Sequence, residues 1–507
     1  MDPIPVKMMN ELSSPSLEGT LPNLHFIGIG GMGMGTLASL MLAKGCQVSG
    51  CDLKENQLTV QLRNQGAQIM IGHDPKHIEN PDGVIYSSAV GFDNPELQEA
   101  QRKKIPVKKR AELLAELANA ETAITVAGAH GKTTTTSMIS HVFMKAGLKP
   151  TTAVGGIVND PSYNAQLGAG KYFVAEVDES DGSFLFFRPY YSVITNIDFE
   201  HLDYYHNWDN ILEAYRLFIR QTNPKGCLFV FGEDPRLLQL ALEEKGQFLS
   251  YGIQPHNDLA AKNITLYGYE ASCDCLLRGK NLGRLRLKVP GEHNILNALA
   301  AVAVGLHLGI DFFTLQEALS QYEGVQRRFQ CQANIKDILV IEDYGHHPTE
   351  ITATIKTARV FSQKRVIVVF QPHRYSRTQY LMDEFVESLS LSDYVVLTDI
   401  YAASEKPLAG VNSRELYDRI KKKKIRAVYR RKEEICCHLL KFVKPGDLVI
   451  FLGAGDINRV GEEFVKELQN NQIPNHKWFD FAHHPSNHPE QVEGQFTITN
   501  DQNSRHR

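Results

Sequence analysis

The feature that most constrains this chain is the run Thr125-Val126-Ala127-Gly128-Ala129-His130-Gly131-Lys132-Thr133-Thr134, where an apolar strand pattern from Ala123 to Ala127 breaks at glycine and is followed by a helix. Gly-x-x-Gly-Lys-Thr between a strand and a helix makes a phosphate cradle. Glycine lets the backbone approach the anion, lysine reaches the terminal phosphates, and the threonine hydroxyl can face a divalent cation. An ordinary Walker loop has a further glycine where this chain has Val126, so the cradle is a variant. The pattern requires an α/β layer with the loop at the C-terminal edge of a sheet, and it predicts cleavage of a nucleoside triphosphate there.

A second glycine-rich turn lies nearer the N-terminus. Leu24 to Ile29 reads as a strand running into Gly28-Ile29-Gly30-Gly31-Met32-Gly33-Met34-Gly35, Leu37 to Ala43 as a helix, and Gln47 to Ser49 as a second strand ending near Asp52. Strand, glycine turn, helix and downstream carboxylate are the Rossmann pattern. Three readings stay open for this turn: NAD, another phosphorylated ligand, or close backbone packing. The free N–H groups at a helix start favour any diphosphate. Gly28, Gly30, Gly31, Met32, Gly33 and Asp52 are the residues concerned.

At 507 residues with 43% hydrophobic side chains, the chain can build two to four cores. Its 54 Lys and Arg against 58 Asp and Glu leave a formal charge of -4, which provides no global basic field for nucleic acid. The one dense basic run, Lys421 to Lys424, reads as the solvated end of a helix. Nowhere do about 18 apolar residues run together, so no membrane insertion is expected. The eight cysteines lack paired C-x-x-C knuckles and read as buried thiols of a reducing cytoplasm. Cys273 and Cys275 share one strand face, where packing is favoured over metal binding.

Further strands are expected at Ala67 to Ile71 and Gly83 to Ser87, with a basic helix-bearing segment from Asn94 to Asn119. Past the cradle, the alternation continues through Lys171 to Val177, Tyr191 to Ile197, Gly226 to Phe231 and a helix from His293 to Leu308. A small side sheet is expected between Asn263 and Val289. Another βαβ series starts near Cys331, with strands at Ile338 to Ile341, Arg365 to Phe370, Tyr394 to Thr398 and Leu448 to Leu452. Beyond about Asn471 the composition predicts a disordered tail. Glu176 and His201 follow strands beside the cradle, where open sheets bind ligands, and are expected at a metal there with Thr133.

Gly28 to Gly35, Ala129-His130-Gly131-Lys132-Thr133-Thr134, Glu176-Val-Asp-Glu-Ser-Asp181, Thr195-Asn196 through His201-Leu-Asp203, His293-Asn294, Tyr344-Gly-His346-His347-Pro348-Thr349-Glu350 and His373-Arg374-Tyr375-Ser376-Arg377 together resemble the Mur ligase family, from about Asn23 to Glu467. The resemblance implies an α/β protein of three domains: a Rossmann-like N-terminal domain for a UDP-linked sugar (23–120), a central P-loop ATPase-like domain with a mostly parallel sheet (121–330), and a Rossmann-like C-terminal domain that closes over both (331–470). A flexible extension (1–22) and the disordered tail (471–507) flank them.

The implied activity is ATP-dependent ligation of L-alanine to the lactyl carboxylate of UDP-N-acetylmuramate through an acyl phosphate, in the bacterial cytoplasm. The implied cofactors are ATP and magnesium, with the chain acting as a monomer or homodimer. ATP then contacts Gly128, Ala129, His130, Gly131, Lys132, Thr133, Thr134, Asn294, Arg328 and Asp343, while Thr133, Glu176 and His201 serve the metal. Tyr344, His346, Arg374 and Arg377 hold the amino acid and the reacting carboxylate, and Lys132, His201, His346, Arg374 and Arg377 form the catalytic set. His346 and His347 are both candidates for taking the amine's proton. Arg374 and Arg377 have a spacing that puts both on one side if the stretch is helical. Related ligases carry a modified lysine beyond the histidine; Arg216 lies in that vicinity and cannot be carbamylated. The alternatives are a ligase of a preformed peptide, an NAD-dependent dehydrogenase using the Gly28 turn, and an ATP-gated binding protein.

Overall fold

The computed structural model describes residues 21–470 except 157, 160–164, 245, 362–364 and 404. The expected extension 1–22 lies outside the described residues up to position 20, and the expected tail 471–507 lies wholly outside them. The first sheet takes β1 (Asn23–Ile27), β2 (Gln47–Asp52), β3 (Gln68–Ile71), β4 (Gly83–Tyr86) and β5 (Val107–Lys109) in the order β3-β2-β1-β4-β5. All its pairings are parallel, and the order switches at β1, where the glycine turn leaves the sheet. Its helices are α1 (Met32–Ala43), α2 (Gln57–Asn64), α3 (Pro95–Arg102) and α4 (Arg110–Asn119). The period of two along β1 sends Leu24 and Phe26 into the core beneath α1. It sends Ile27 to the opposite face, against Leu97 and Ala100 of α3. The side chain of Asn94 caps α3, and Pro95 fits its first turn. Edge strand β5 lies within the segment whose sequence shows only helical signals; its three residues are too few to display a period.

The central sheet contains β6 (Thr122–Ala127), β7 (Thr151–Ala153), β8 (Ala165–Gln166), β9 (Tyr172–Glu176), β10 (Tyr191–Ile194), β11 (Cys227–Phe231), β12 (Phe248–Gly252), β13 (Leu259–Tyr267), β14 (Glu270–Leu277) and β15 (Lys280–Leu287). Their order is β15-β14-β13-β12-β11-β10-β6-β9-β7-β8. Strands β7 through β13 in that row pair in parallel, and β8, β14 and β15 add antiparallel ends. The side sheet expected over 263–289 is therefore continuous with the main one. Leu259, Ala260 and Ala261 at the start of β13 are buried, Leu259 and Ala260 pair with β12, and the rest of the strand runs on as a hairpin. Its residues alternate as a surface strand does, which hides the junction.

The central helices are α5 (Lys132–Lys145), α6 (Leu202–Tyr205), α7 (Trp208–Gln221), α8 (Pro235–Glu243), α9 (Glu292–His307) and α10 (Phe312–Ser320). Helix α5 is buried from Thr134 to Phe143 despite its Thr and Ser content. Hydroxyls bond back along the helix, Thr136 to the Lys132 carbonyl (2.8 Å), Ser137 to Thr134 (2.9 Å) and Ser140 to Thr136 (2.8 Å), so these polar groups enter the core satisfied. Cys273 and Cys275 of β14 are buried in the same apolar core.

The third sheet takes β16 (Gln330–Ile335), β17 (Ile338–Asp343), β18 (Val366–Phe370), β19 (Tyr394–Leu397), β20 (Ala427–Tyr429) and β21 (Leu448–Leu452) in the order β16-β17-β21-β18-β19-β20. Only the β16–β17 hairpin is antiparallel. Helices α11 (Pro348–Phe361), α12 (Tyr375–Tyr380), α13 (Met382–Leu389), α14 (Ser413–Lys422), α15 (Lys432–Phe442) and α16 (Ile457–Asn470) complete this layer. Its strands are apolar throughout because both faces are covered: Val366, Val368 and Phe370 enter one core, Ile367 and Val369 the other. The basic run is the exposed end of α14, and among the described residues no helix is long and apolar enough to cross a membrane.

Candidate functional site

Strand β6 ends at Ala127 between β9 and β10, and the chain turns into α5 through Gly128 and Gly131, at φ +127° and +79°. A Cβ at Gly128 would stand 2.2 Å from the Thr195 hydroxyl, so backbone conformation and space both require glycine. The exit of β10 holds the loop. Asn196 accepts the His130 N–H (2.9 Å), while Thr195 Oγ1 (2.6 Å) and Asn196 Nδ2 (3.0 Å) donate to the His130 carbonyl. The Ala129 N–H reaches the Asn196 carbonyl at 3.2 Å. Lys132 Nζ donates to the Gly128 carbonyl at 2.6 Å. Thr133 Oγ1 donates to Glu176 Oε1 at 2.9 Å, and Glu176 Oε2 accepts the Gly155 N–H at 2.8 Å. Thr134 is buried in the first turn of α5.

The structure singles out Glu179 from an acidic segment whose members look alike in sequence. Its Oε1 is 2.8 Å from Lys132 Nζ and 3.5 Å from His201 Nε2; its Oε2 is buried without a hydrogen-bond partner among the described residues. Burial works against the charge on Lys132, but Glu179 and Asp178 outweigh it and its pKa is raised. His201 adopts a left-handed backbone (φ +57°) ahead of α6 and lies 3.8 Å from Glu200. Burial opposes protonation of its ring, and Glu179 and Glu200 overcome that, raising its pKa.

Glu200 connects this wall to the C-terminal domain. It accepts from Arg377 Nη2 and lies 3.7 Å from His346 Nε2, and despite burial, which opposes its charge, Arg377 holds its carboxyl well below the usual range. Arg374 Nη1 reaches Asp203 at 3.4 Å. The condition for Arg374 and Arg377 to share a helix face is met only by Arg377: Arg374 caps α12 at φ +69°, ahead of the helix. Both nevertheless meet the same acidic wall. Burial, then Arg377, pushes the His346 pKa down to about 4, so its ring is neutral at pH 7.

A second set of contacts crosses the cleft. Asp198 Oδ2 takes His130 Nε2 at 2.8 Å and the Thr349 hydroxyl at 2.7 Å, with His347 Nδ1 at 3.4 Å. Arg328 pairs with Glu350 at 3.2 Å, and Arg327 and Arg328 lie 4.9 and 5.4 Å from the Tyr344 ring. Both Asp343 oxygens are engaged by backbone, at Gly345 (2.7 Å) and Phe329 (2.8 Å). Asn294 opens α9, donating to the Pro290 carbonyl at 2.7 Å and accepting from Asn297 at 3.2 Å. Arg216 pairs with Glu243 and Glu244 at the C-terminal end of α8 and, among the described residues, shares no ion-pair partner with the cradle.

In the N-terminal turn, Gly28 and Ile29 donate to the Cys51 carbonyl (2.9 and 3.0 Å). Asp52 Oδ2 accepts the Gly30 N–H at 2.9 Å. Gly31 caps α1, which begins at Met32. A Cβ on Gly33 would stand 2.9 Å from the Arg110 guanidinium, so α4 brings a cation to this turn that no local motif announced. Lys132, His201, His346 and Arg377 are thus linked through Glu179 and Glu200, with the Thr133–Glu176 and Arg374–Asp203 pairs beside them, and the N-terminal glycine turn stands apart in its own sheet.

A lysine–threonine phosphate cradle edged by acids, beneath a C-terminal layer carrying arginines, is the equipment of an ATP-dependent ligase. The chain matches the Mur ligase family, catalytic domain, over residues 23–122, the Mur ligase middle domain over 126–305, and the Mur ligase, glutamate ligase domain over 327–455, and it belongs to the Mur ligase family. Among its relatives, a UDP-N-acetylmuramate–L-alanine ligase of Geotalea uraniireducens is 43% identical over 455 residues, 89% of this chain and 99% of that protein. The enzyme of the same name from Aquifex aeolicus is 44% identical over 89% of this chain and 99% of its own. The crystal structure of a UDP-N-acetylmuramate–alanine ligase from Thermotoga maritima superposes with a TM-score of 0.76 at 32% identity, covering 89% of this chain and 99% of that one.

Proposed function

We propose that this chain joins L-alanine to the lactyl carboxylate of UDP-N-acetylmuramate, coupled to cleavage of ATP to ADP and phosphate, giving UDP-N-acetylmuramoyl-L-alanine for peptidoglycan. The observation that carries the reading is that the cradle and the arginines of the C-terminal layer meet across Glu200 and His201. In it, residues 23–120 bind the UDP-sugar through the Gly28, Gly30, Gly31, Met32, Gly33 and Asp52 turn, 121–330 bind ATP, and 331–470 bind the amino acid and close. The NAD reading of the turn gives way to a UDP diphosphate, with Arg110 as a further cation. The ligation belongs in the cytoplasm, where ATP is made and the eight cysteines stay free thiols.

The lactyl carboxylate attacks the γ-phosphorus, the bond to the ADP oxygen breaks, and an acyl phosphate forms. The neutral amine of alanine then attacks the acyl carbon, phosphate leaves, and the amine's proton passes to a base. Lys132 swings from the Gly128 carbonyl to the phosphates, and Arg374 and Arg377 orient the carboxylates. His346 and His347 are the two candidates to take the proton: burial lowers both pKa values, which leaves each ring neutral at pH 7 with a nitrogen open but makes each a weak base. Contacts of the C-terminal layer with Asp198, Glu200 and Asp203 exclude water from the acyl phosphate. Thr133, Glu176 and His201, with the unpartnered Glu179 oxygen, are a donor set that fits magnesium. Bound there, the ion neutralises phosphate charge.

One assay tests this reading: ATP, magnesium and UDP-N-acetylmuramate with each amino acid added separately, following phosphate and ligated product. Alanine should give stoichiometric product, with glycine and serine reduced by the modest factor one small group allows. Phosphate release that no amino acid stimulates, or product only with a preformed peptide, would overturn it.

A further inference from the structure

Away from the cleft, on the α3 face of the N-terminal sheet, parallel pairing sets His25 opposite Ser49 and Ile27 opposite Cys51. Side chains of His25 and Cys51 therefore point to the same covered side, and α3 lowers Glu96 onto them. His25, Cys51 and Glu96 are all fully buried, with donor atoms within 4.8 Å of one another. Glu96 Oε2 lies 3.3 Å from His25 Nε2 and accepts from Cys51 Sγ at 2.7 Å. The segment after β3 adds His73, whose Nδ1 is 3.2 Å from Cys51 Sγ and 3.7 Å from Glu96 Oε1, and His77, whose Nδ1 is 2.7 Å from Glu96 Oε1.

A carboxylate at zero exposure requires a compensating positive charge, yet among the described residues every ion pair of Glu96 is with a histidine. Its oxygens accept from Cys51 Sγ, from the Asp74 N–H at 3.1 Å and from His77 Nδ1, and lie against His25 Nε2. Imidazole nitrogen, thiol sulfur and one carboxylate are the donors of zinc-class ions, whereas magnesium and calcium take oxygen. Ser49 Oγ, 2.9 Å from His25 Nδ1, orients that ring and leaves Nε2 for coordination. A thiolate and a carboxylate beside one neutral imidazole cancel a 2+ charge, which suits a buried position. His73 and His77 are 18% and 19% exposed and give an entry path.

We propose that His25, Cys51 and Glu96 form a binding site for a zinc-class divalent cation, with His73 at its rim beside the Cys51 sulfur and His77 holding the second Glu96 oxygen. On binding, the Cys51 S–H bond breaks, a sulfur–metal bond forms, and the proton passes through the histidine rim to solvent. Because the Cys51 carbonyl receives the Gly28 and Ile29 N–H groups, the ion braces the glycine turn from behind. The proposal is independent of the ligation chemistry.

The test is titration of the chelator-stripped full-length protein with Co2+. The expected result is one ion per chain, the near-ultraviolet sulfur-to-cobalt charge-transfer band, the visible bands of a tetrahedral site, and displacement by Zn2+. Cys51→Ala should abolish the charge-transfer band; His73→Ala, at the rim where folding is least at risk, should weaken Co2+ binding by about 10–100-fold. Absence of the band in the wild type, its persistence in Cys51→Ala, or unchanged affinity in His73→Ala would overturn the site as drawn.

Discussion

Lys132 and Thr133 could be assigned from sequence because a phosphate cradle is built from consecutive residues, so its chemistry is written in spacing. Glu179 could not. Glu176, Asp178, Glu179 and Asp181 are chemically alike, and only the bend after β9 places Glu179 between Lys132 and His201. Lys132→Ala should lower ATP turnover by roughly 10²–10³-fold, the scale of losing one charge-stabilising donor. UDP-sugar binding, measured by calorimetry, should survive if the proposed Gly28 turn holds it, because that turn belongs to another sheet. Near-normal phosphate release would remove Lys132 from the reaction.

Whole elements were legible where they had a period or a boundary signal. The apolar strands of the first and third sheets stand where the sequence places them, within a few residues. The misreadings have separate causes: β5 is too short to show a period, β13 changes role along its length, and Arg374 stands one residue ahead of the helix that holds Arg377; β12 and β16 lie where no strand is expected. The cradle loop is the element most sensitive to one added methyl. Gly128→Ala forces a left-handed residue against Thr195, and should cost about 1–3 kcal/mol in urea unfolding with loss of ATP binding. Unaltered stability and affinity would mean the loop relaxes around the methyl.

For the whole molecule, the decisive contacts join residues far apart in the chain: Arg377 to Glu200, Thr349 to Asp198, and His130 to Asp198. Burial opposes the charge on His130, but Asp198 and Glu350 raise its pKa to about 10. The unfolded value is about 6.5. A raised folded pKa means that this stabilisation is fully present below the unfolded value and is lost as pH rises through about 10. The urea midpoint of wild type should therefore exceed that of His130→Gln most at about pH 6, with the gap closing by about pH 10.5. A gap independent of pH would show that His130 is not charged in this contact.

By itself the sequence determined the things carried by neighbouring residues: two glycine-rich turns from strand into helix, the α/β alternation, the three-sheet plan and the family, since each depends on spacing within a few tens of positions. Tertiary structure alone decided which acids face Lys132, that Arg110 meets the Gly28 turn, that Asp198 and Glu200 tie the C-terminal layer to the cradle, and that His25, Cys51, His73 and Glu96 converge. Side-chain chemistry is a local property of sequence. The pairing of side chains across a core depends on strand register and helix placement, and these are set by burying every apolar face at once.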